Sequence, residues 1–398
     1  MNAPLSPLAT KHSSTSIEIL RTLIAFDTTS RNSNLPLIHW VRDYLQAHGV
    51  VSKLVFDATG QKANLFATVG SGSGAGMIFS GHTDTVPVDG QPWTSDPYQL
   101  IERGDKLYAR GSADMKGFIA CALAQVPAYL ARSHDRPFHL ALSYDEEVGC
   151  RGVWSLAEEI LASGASVAGC IVGEPSSMQP IVAHKGTHRF RCCVTGQEAH
   201  SALPHLGVNA IHAAHRLMTF LLNEGDVIAA RETPDAAFEY PTSTLSLTMI
   251  DGGTGQNIVP RNCNVQVDVR TVPGTEIEHL LAKVRDYVQT LEPAMQAVSP
   301  DTGIEIEFQS SSPGFGIELD APLLRYVEEK AQSTRRIKVG FGTEAGVFSK
   351  YNIPTIIIGP GDIAQAHQAD EFVAVEQLAQ CDKFLARVLA EPFVAAVV

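Results

Sequence analysis

The stretch Phe138-His-Leu-Ala-Leu-Ser-Tyr-Asp-Glu-Glu-Val-Gly149 reads as an apolar strand that delivers two adjacent carboxylates, Glu146 and Glu147, into a turn. Taken alone, such a pair is usually solvated surface. Three other strand-like runs end in the same way. They are Met77-Ile-Phe-Ser-Gly-His-Thr-Asp84, Gly169-Cys-Ile-Val-Gly-Glu174, and Thr355-Ile-Ile-Ile-Gly-Pro-Gly361, which leads to His367. Four strands ending in His, Asp and Glu point to one constructed site.

Working outward, apolar residues recur with helical spacing over 16–27 and 35–48, the second run stopped by Gly49 at the usual C′ position. Short β-type runs follow at 51–56, 64–69 and 76–80, then a buried helix over 114–130 that Pro127 is expected to kink or weaken. A strand at 138–144, a helix at 152–163 and a strand at 169–173 complete an alternating β/α pattern, which predicts a mixed sheet covered by helices. From Lys185 the order becomes strand 188–195, helix 207–223, strands 243–250 and 261–270, helix 275–292 and strand 303–309. That β-α-β-β-α-β order is the ferredoxin-like, α+β arrangement. The β/α pattern then resumes with a helix at 321–333, a segment near 344–350, a strand at 353–358 and a helix at 374–390. The expected organisation is an α/β domain made of 1–184 and 312–398, with 185–311 inserted into it.

With 398 residues, two domains are the natural expectation. A net charge of −13 argues against a nucleic-acid partner, because phosphate binding needs a basic surface. Residues 1–12 contain no apolar leader, and no run approaches the roughly 18 apolar residues of a membrane helix. Seven cysteines, none in a Cys-x-x-Cys pair, do not form a disulfide framework; Cys192 and Cys193 are adjacent in a strand and face opposite ways. These features predict a cytoplasmic protein with no membrane partner.

Sites in open α/β sheets form beyond the carboxyl ends of strands. His82, Glu174, Glu147 and His367 are candidate terminal ligands for two divalent cations, with Asp114 as the bridge. Each ion would receive one imidazole, one terminal carboxylate and one oxygen of Asp114. Nitrogen and oxygen ligation without thiolate favours Zn2+, with Co2+ or Mn2+ able to substitute. Asp84, two residues after His82, is placed to accept the other imidazole N–H. The remaining glutamate of the 146–147 pair is free to move a proton, and periodicity alone does not decide which of the two it is.

The runs Gly81-His-Thr-Asp-Thr-Val-Pro87, Gly111-Ser-Ala-Asp-Met-Lys-Gly117, Asp145-Glu-Glu-Val-Gly149 and Gly173-Glu-Pro175, in this order, closely resemble the di-zinc peptidase/deacylase family of aminoacylases, desuccinylases and acetylornithine deacetylases. The resemblance implies Glu146 as general base and Glu147 as ligand. It also implies His82 and Glu174 on one ion, His367 on the other, and Asp114 between them. It implies that the inserted segment is a lid and dimerisation domain. There His200, in Gly196-Gln-Glu-Ala-His-Ser201, is implied to reach a neighbouring subunit's site and stabilise an oxyanion. Asn257 and Arg270 are implied to hold a substrate carboxylate; strand alternation is read here as turning Arg270 away from Asp268. Lys185 is left as a junction cation or a substrate contact, and Glu344 as an amine binder or a helix cap.

Within the family, Val182-Ala-His-Lys-Gly186, Gly342-Thr-Glu-Ala-Gly346 and Gly359-Pro-Gly-Asp-Ile-Ala-Gln-Ala-His367 look like the acetylornithine deacetylase branch. The implied activity is hydrolysis of a small N-acyl amino acid by a homodimer, with N2-acetyl-L-ornithine the first substrate. Acetylcitrulline deacylation, desuccinylation, dipeptide hydrolysis and a non-catalytic binding role stand as alternatives.

Overall fold

The computed structural model describes residues 14–393, so the expectation about residues 1–12 falls outside the described residues. The described residues divide into two compact units: one takes those up to Val182, Ile317–Ile337 and those from Thr343, and the other takes Ala183–Gly316 and Lys338–Gly342.

The first unit opens with helices α1 (Thr15–Ile24) and α2 (Leu35–Ala47). Ser14 caps α1 by accepting the Ile17 N–H, and Gly49, at φ +77°, follows α2 in the left-handed conformation that a side chain would resist. Strands β1 (Ser52–Phe56), β2 (Ala63–Val69) and β3 (Gly76–His82) come next, then two three-residue strands, β4 (Ile101–Arg103) and β5 (Lys106–Tyr108). Helix α3 (Lys116–Leu130), strand β6 (Phe138–Ser143), helix α4 (Val153–Ala162) and strands β7 (Val167–Val172) and β8 (Ile181–His184) carry the chain to the second unit.

Helix α3 passes through Pro127 without a break. Pro127 cannot donate to the carbonyl of Leu123, and the Tyr44 hydroxyl donates to that carbonyl instead, at 3.2 Å. The orphaned acceptor is satisfied, so the expected weak point is held.

In the second unit, β9 (Gly186–Thr195), α5 (Ala210–Arg231), β10 (Thr244–Gly252), β11 (Asn262–Thr271), α6 (Ile277–Gln296) and β12 (Gly303–Ser312) build a four-stranded antiparallel sheet in the order β10-β11-β9-β12. This is the ferredoxin-like topology. Strands β9 and β11 alternate buried and half-buried residues, and Phe190, Val265, Val267 and Val269 pack against Leu217, Leu221, Leu281 and Val284 of the helices. Helix α5 runs eight residues beyond its expected end at 223, through Gly225. A Cβ at Gly225 would lie 2.9 Å from Cβ of Leu245 on β10, so the glycine serves a close helix–strand approach and is no stop.

The chain closes with β13 (Phe315–Gly316), α7 (Pro322–Ala331), β14 (Ile337–Val339), α8 (Ala345–Lys350), β15 (Thr355–Ile357), β16 (Phe372–Ala374) and α9 (Val375–Ala390). In the first unit's main sheet the order runs β1-β2-β6-β3-β7-β15-β8. The four strands β6, β3, β7 and β15 are mutually parallel, with His82 opposite Ser143 and Val172 opposite Ile357. Their carboxyl ends therefore share one edge of the sheet. Strands β3 and β6 are buried along their whole length. A smaller sheet, β16-β5-β4, was not foreseen from the sequence.

Candidate metal centre

His82 is the last residue of β3 and is fully buried. Its Nδ1 pairs with the carbonyl of Asp84 at 3.0 Å, which aims Nε2 at Asp114 Oδ1, 2.9 Å away, and at Glu174 Oε1, 3.9 Å away. The other oxygen of Asp114 lies 3.4 Å from Nε2 of His367, and His367 Nε2 lies 3.0 Å from Glu147 Oε2. Asp114 thus sits between two imidazoles, each with its own carboxylate. Donor atoms of His82, Asp114 and Glu147 all fall within 4.8 Å of one another.

Each side chain has a local reason for its place. Glu174 follows β7 through Gly173, where a Cβ would fall 1.9 Å from the Phe118 ring, so only glycine lets this strand end pass α3. Asp114 precedes α3 without capping it, since the helix has no side-chain cap. Its carboxylate is turned to the imidazoles. His367 sits at φ +63°, in the loop after β15. Glu146 and Glu147 follow Asp145, at φ +58°, whose carboxylate is paired with Lys62.

The expected role of Asp84 needs correction. Its carboxylate accepts the backbone N–H groups of Glu146 at 3.1 Å and Glu147 at 3.3 Å, and the Ser30 hydroxyl at 2.7 Å. It stands 3.6 Å from His82 Nδ1, and the imidazole bond goes to the Asp84 main-chain carbonyl. Two residues after His82 the chain curls back, so the carbonyl arrives first and the carboxylate is left to fix the glutamate turn.

The electrostatics describe a centre short of positive charge. Burial pushes the carboxyls of Glu146, Glu147 and Glu174 upward, and the neighbouring carboxylates add to that. Burial would depress His82, yet Asp114, Asp84 and Glu174 raise it well above the usual imidazole range. Asp114 and Glu147 lift His367 to about 10. Glu174 Oε1 is buried without a hydrogen-bond partner. Carboxylates outnumber imidazoles here, one oxygen is orphaned, and all donors are hard or borderline. Such a set suits divalent cations.

Ser30, Cys150 and Glu371 were passed over in the sequence. Ser30 holds Asp84, the Cys150 thiol donates to Glu146 Oε1 at 3.3 Å, and Glu371 accepts the Asp114 N–H at 3.1 Å. Only Glu371 carries a signal, an acidic residue four positions after His367. Glu344 stands at the N-cap position of α8. It is fully buried, makes no side-chain cap, and accepts from Ser80 at 3.1 Å and from Ser143.

In the second unit, the His200 ring accepts the Ala202 N–H at Nδ1, 3.0 Å away, so the neutral ring carries its proton on Nε2. His200 bridges Ile258, and Ser201 N–H bonds the Asn257 carbonyl at 2.9 Å, which sets His200 and Asn257 on adjacent segments. Arg270 does pair with Asp268, Nε to Oδ1 at 2.8 Å. Residues two apart on a strand share a face, so the expectation that they turn apart was wrong. Arg270 also reaches Thr187 Oγ1 at 2.8 Å. Lys185 is buried, bonds the Thr242 carbonyl and lies 5.2 Å from the Tyr240 ring centre. All seven cysteines are free.

The sequence model of peptidase family M20/M25/M40 matches residues 78–391. The chain belongs to this family. Among its M20 relatives, an acetylornithine deacetylase from Myxococcus xanthus is 37% identical over 379 residues, covering 93% of this chain and 96% of that one. Another, from Proteus mirabilis, is 35% identical over 370 residues, covering 90% and 92%. Among solved structures, the M20 metallo-carboxypeptidase Sso-CP2 from Sulfolobus solfataricus superposes with a TM-score of 0.74 at 14% identity, over 95% of this chain and 99% of that one. The dipeptidase Dug1p from Saccharomyces cerevisiae does so at 0.72 and 13%, over 95% and 96%. At such identities the likeness shows the M20 fold alone. This chain is an M20 metallohydrolase similar to acetylornithine deacetylases. Among the described residues, no helix is long and apolar enough to cross a membrane.

Proposed function

We propose that the protein hydrolyses N2-acetyl-L-ornithine to L-ornithine and acetate, as a cytoplasmic homodimer holding two divalent cations, Zn2+ first and Co2+ as a substitute. The substrate assignment rests on the similarity to acetylornithine deacetylases over nearly the whole chain. The chemistry rests on one observation: the two oxygens of Asp114 face two imidazoles, His82 and His367, on opposite sides.

His82, Glu174 and one oxygen of Asp114 would hold the first ion; His367, Glu147 and the other oxygen would hold the second. When bound, the ions polarise the amide carbonyl and acidify water. Glu146, the carboxylate of the pair that contacts neither imidazole, takes the proton from the attacking water. A C–O bond forms at the acetyl carbon, the C–N bond breaks, and Glu146 returns the proton to the departing amine. Asp84 holds the Glu146 backbone in place for this. His200, with its proton on Nε2, donates to the developing oxyanion. Arg270 retains N–H groups beyond those spent on Asp268 and Thr187, and with Asn257 it is assigned to the substrate carboxylate.

The test is release of the acyl acid, acetate from N2-acetyl-L-ornithine and N-acetylcitrulline and succinate from succinyl-diaminopimelate, before and after chelation and metal add-back. Metal-restored turnover fastest on N2-acetyl-L-ornithine is expected. Faster turnover on another substrate of the panel would refute the substrate assignment and leave the chemistry standing.

A further inference from the structure

Arg110 and Glu371 are the most deeply buried ion pair beside the centre, each about 1% exposed, with Nη1 2.7 Å from Oε2. Their bonds reach far beyond each other. Glu371 Oε2 accepts the Gly111 N–H at 3.0 Å, and Oε1 accepts the N–H groups of Ala113 at 2.9 Å and Asp114 at 3.1 Å. One carboxylate therefore ties down the whole turn that presents Asp114. Arg110 works in the other direction. Its Nη1 donates to the Gln368 carbonyl at 3.3 Å, and its Nη2 to Gln91 Oε1 at 2.6 Å and to the Pro87 carbonyl at 3.4 Å. Gln91 in turn donates through Nε2 to the carbonyl of His367, 2.9 Å away. Trp93 donates to the same Gln91 oxygen at 3.0 Å and stacks its ring 5.1 Å from the Arg110 guanidinium carbon.

The small sheet makes this pairing possible. Phe372 of β16 pairs with Tyr108 of β5, and the Ala109 N–H bonds the Glu371 carbonyl at 3.0 Å, which brings Glu371 against the turn at Gly111. Without that ladder, the loop carrying His367 and the loop carrying Asp114 have no shared strand. The other ligand pair needs no such device, since His82 and Glu174 end adjacent parallel strands of the main sheet.

We infer that Arg110 and Glu371 are positioning residues that set the His367 side of the centre, fixing His367 against Asp114 and leaving the His82 side to the sheet. The inference rests on the two-ion reading above. A four-donor carboxylate has no neutral replacement: in Glu371→Gln the amide NH2 would face N–H groups, and at least two donors would lose their acceptor. Arg110→Lys keeps the charge and loses the fork that spans Glu371, Gln368 and Gln91. Removing partners that orient metal ligands costs roughly 10–100-fold in affinity.

The experiment is a Co2+ titration of chelated full-length protein followed by calorimetry and the visible absorption of the bound ion, for the parent, Glu371→Gln, Arg110→Lys and Gln91→Ala. Two ions are expected in the parent. In Arg110→Lys one ion is expected to bind as before and the other roughly 10–100-fold more weakly; Glu371→Gln also loosens the turn of the shared Asp114, so there the same ion weakens by roughly 10–100-fold and its neighbour by less. In Gln91→Ala, a change at a partly exposed side chain that leaves the buried pair alone, a smaller loss confined to the same ion is expected. The unfolding transition of each chelated variant reports folding; if Glu371→Gln does not fold, Arg110→Lys and Gln91→Ala decide. Equal weakening of both ions, or parent-like binding of both, overturns the positioning role. A parent that binds fewer than two ions overturns the two-ion reading itself and the positioning role with it.

Discussion

Substituting Gly173 by alanine tests how the first ion's ligands are carried by packing. An ideal Cβ on residue 173 lies 1.9, 2.0 and 2.4 Å from three carbons of the Phe118 ring. Carbon atoms rest at about 3.5–4.0 Å, so relief of roughly 1.5 Å is required. Phe118 cannot swing into solvent: it is 1% exposed and packs edge-on against Phe79, with ring centres 6.5 Å apart. Either the end of β7 moves and takes Glu174 with it, or α3 moves and takes Asp114. Overpacking of this kind costs about 1–3 kcal/mol, which lowers Tm by roughly 2–12 °C in a unit of this size. The assay is thermal unfolding of the chelated protein, paired with Co2+ affinity. Phe118→Ala alone is expected to cost about 3–5 kcal/mol. The double variant should cost at least about 1 kcal/mol less than the sum, because the second change makes room for the first. Unchanged Tm and cobalt affinity in Gly173→Ala, or strict additivity in the double variant, would refute the reasoning.

Three further outcomes are expected. Glu146→Gln should lower kcat by roughly 10²–10⁴ while calorimetry still counts two ions; loss of an ion would move Glu146 into the ligand set. His200→Ala should lower kcat by roughly 10²–10³ with little change in KM, and an unchanged kcat would remove it from the site. His184 is fully buried, and burial depresses its imidazole to about 4. The unfolded chain therefore takes up the proton first, so stability is complete above about 6.5 and is lost as pH falls toward about 4. The loss reaches at most about 3 kcal/mol. Urea unfolding across that range should show a slope that His184→Gln flattens, and an identical slope in the variant would contradict the assignment.

What could be read from the sequence was carried by long periodic runs and by residue types at strand ends. Four apolar strands terminating near His82, Glu146–Glu147, Glu174 and His367 were legible because a buried parallel strand leaves only its end for polar chemistry. The inserted β-α-β-β-α-β order was legible for the same reason, as periodicity switches cleanly between two and 3.6. Strands β4, β5 and β16 were not. Each is three residues long, and the ladder joins Tyr108 to Phe372 across most of the chain. Because that ladder was invisible, so was the Arg110–Glu371 pair it assembles. Pro127 and Gly225 misled in opposite ways, and in each a distant partner, Tyr44 or Leu245, reverses the local rule. Asp84 was read by its side chain when its main-chain carbonyl makes the bond.

The most direct test of the central claim is anomalous diffraction at the zinc edge from a crystal of the zinc-loaded protein. Two peaks are expected on opposite sides of Asp114, one against His82 and Glu174 and one against His367 and Glu147. A single peak, or two peaks that do not share Asp114, would contradict the two-ion centre on which the proposed hydrolysis depends.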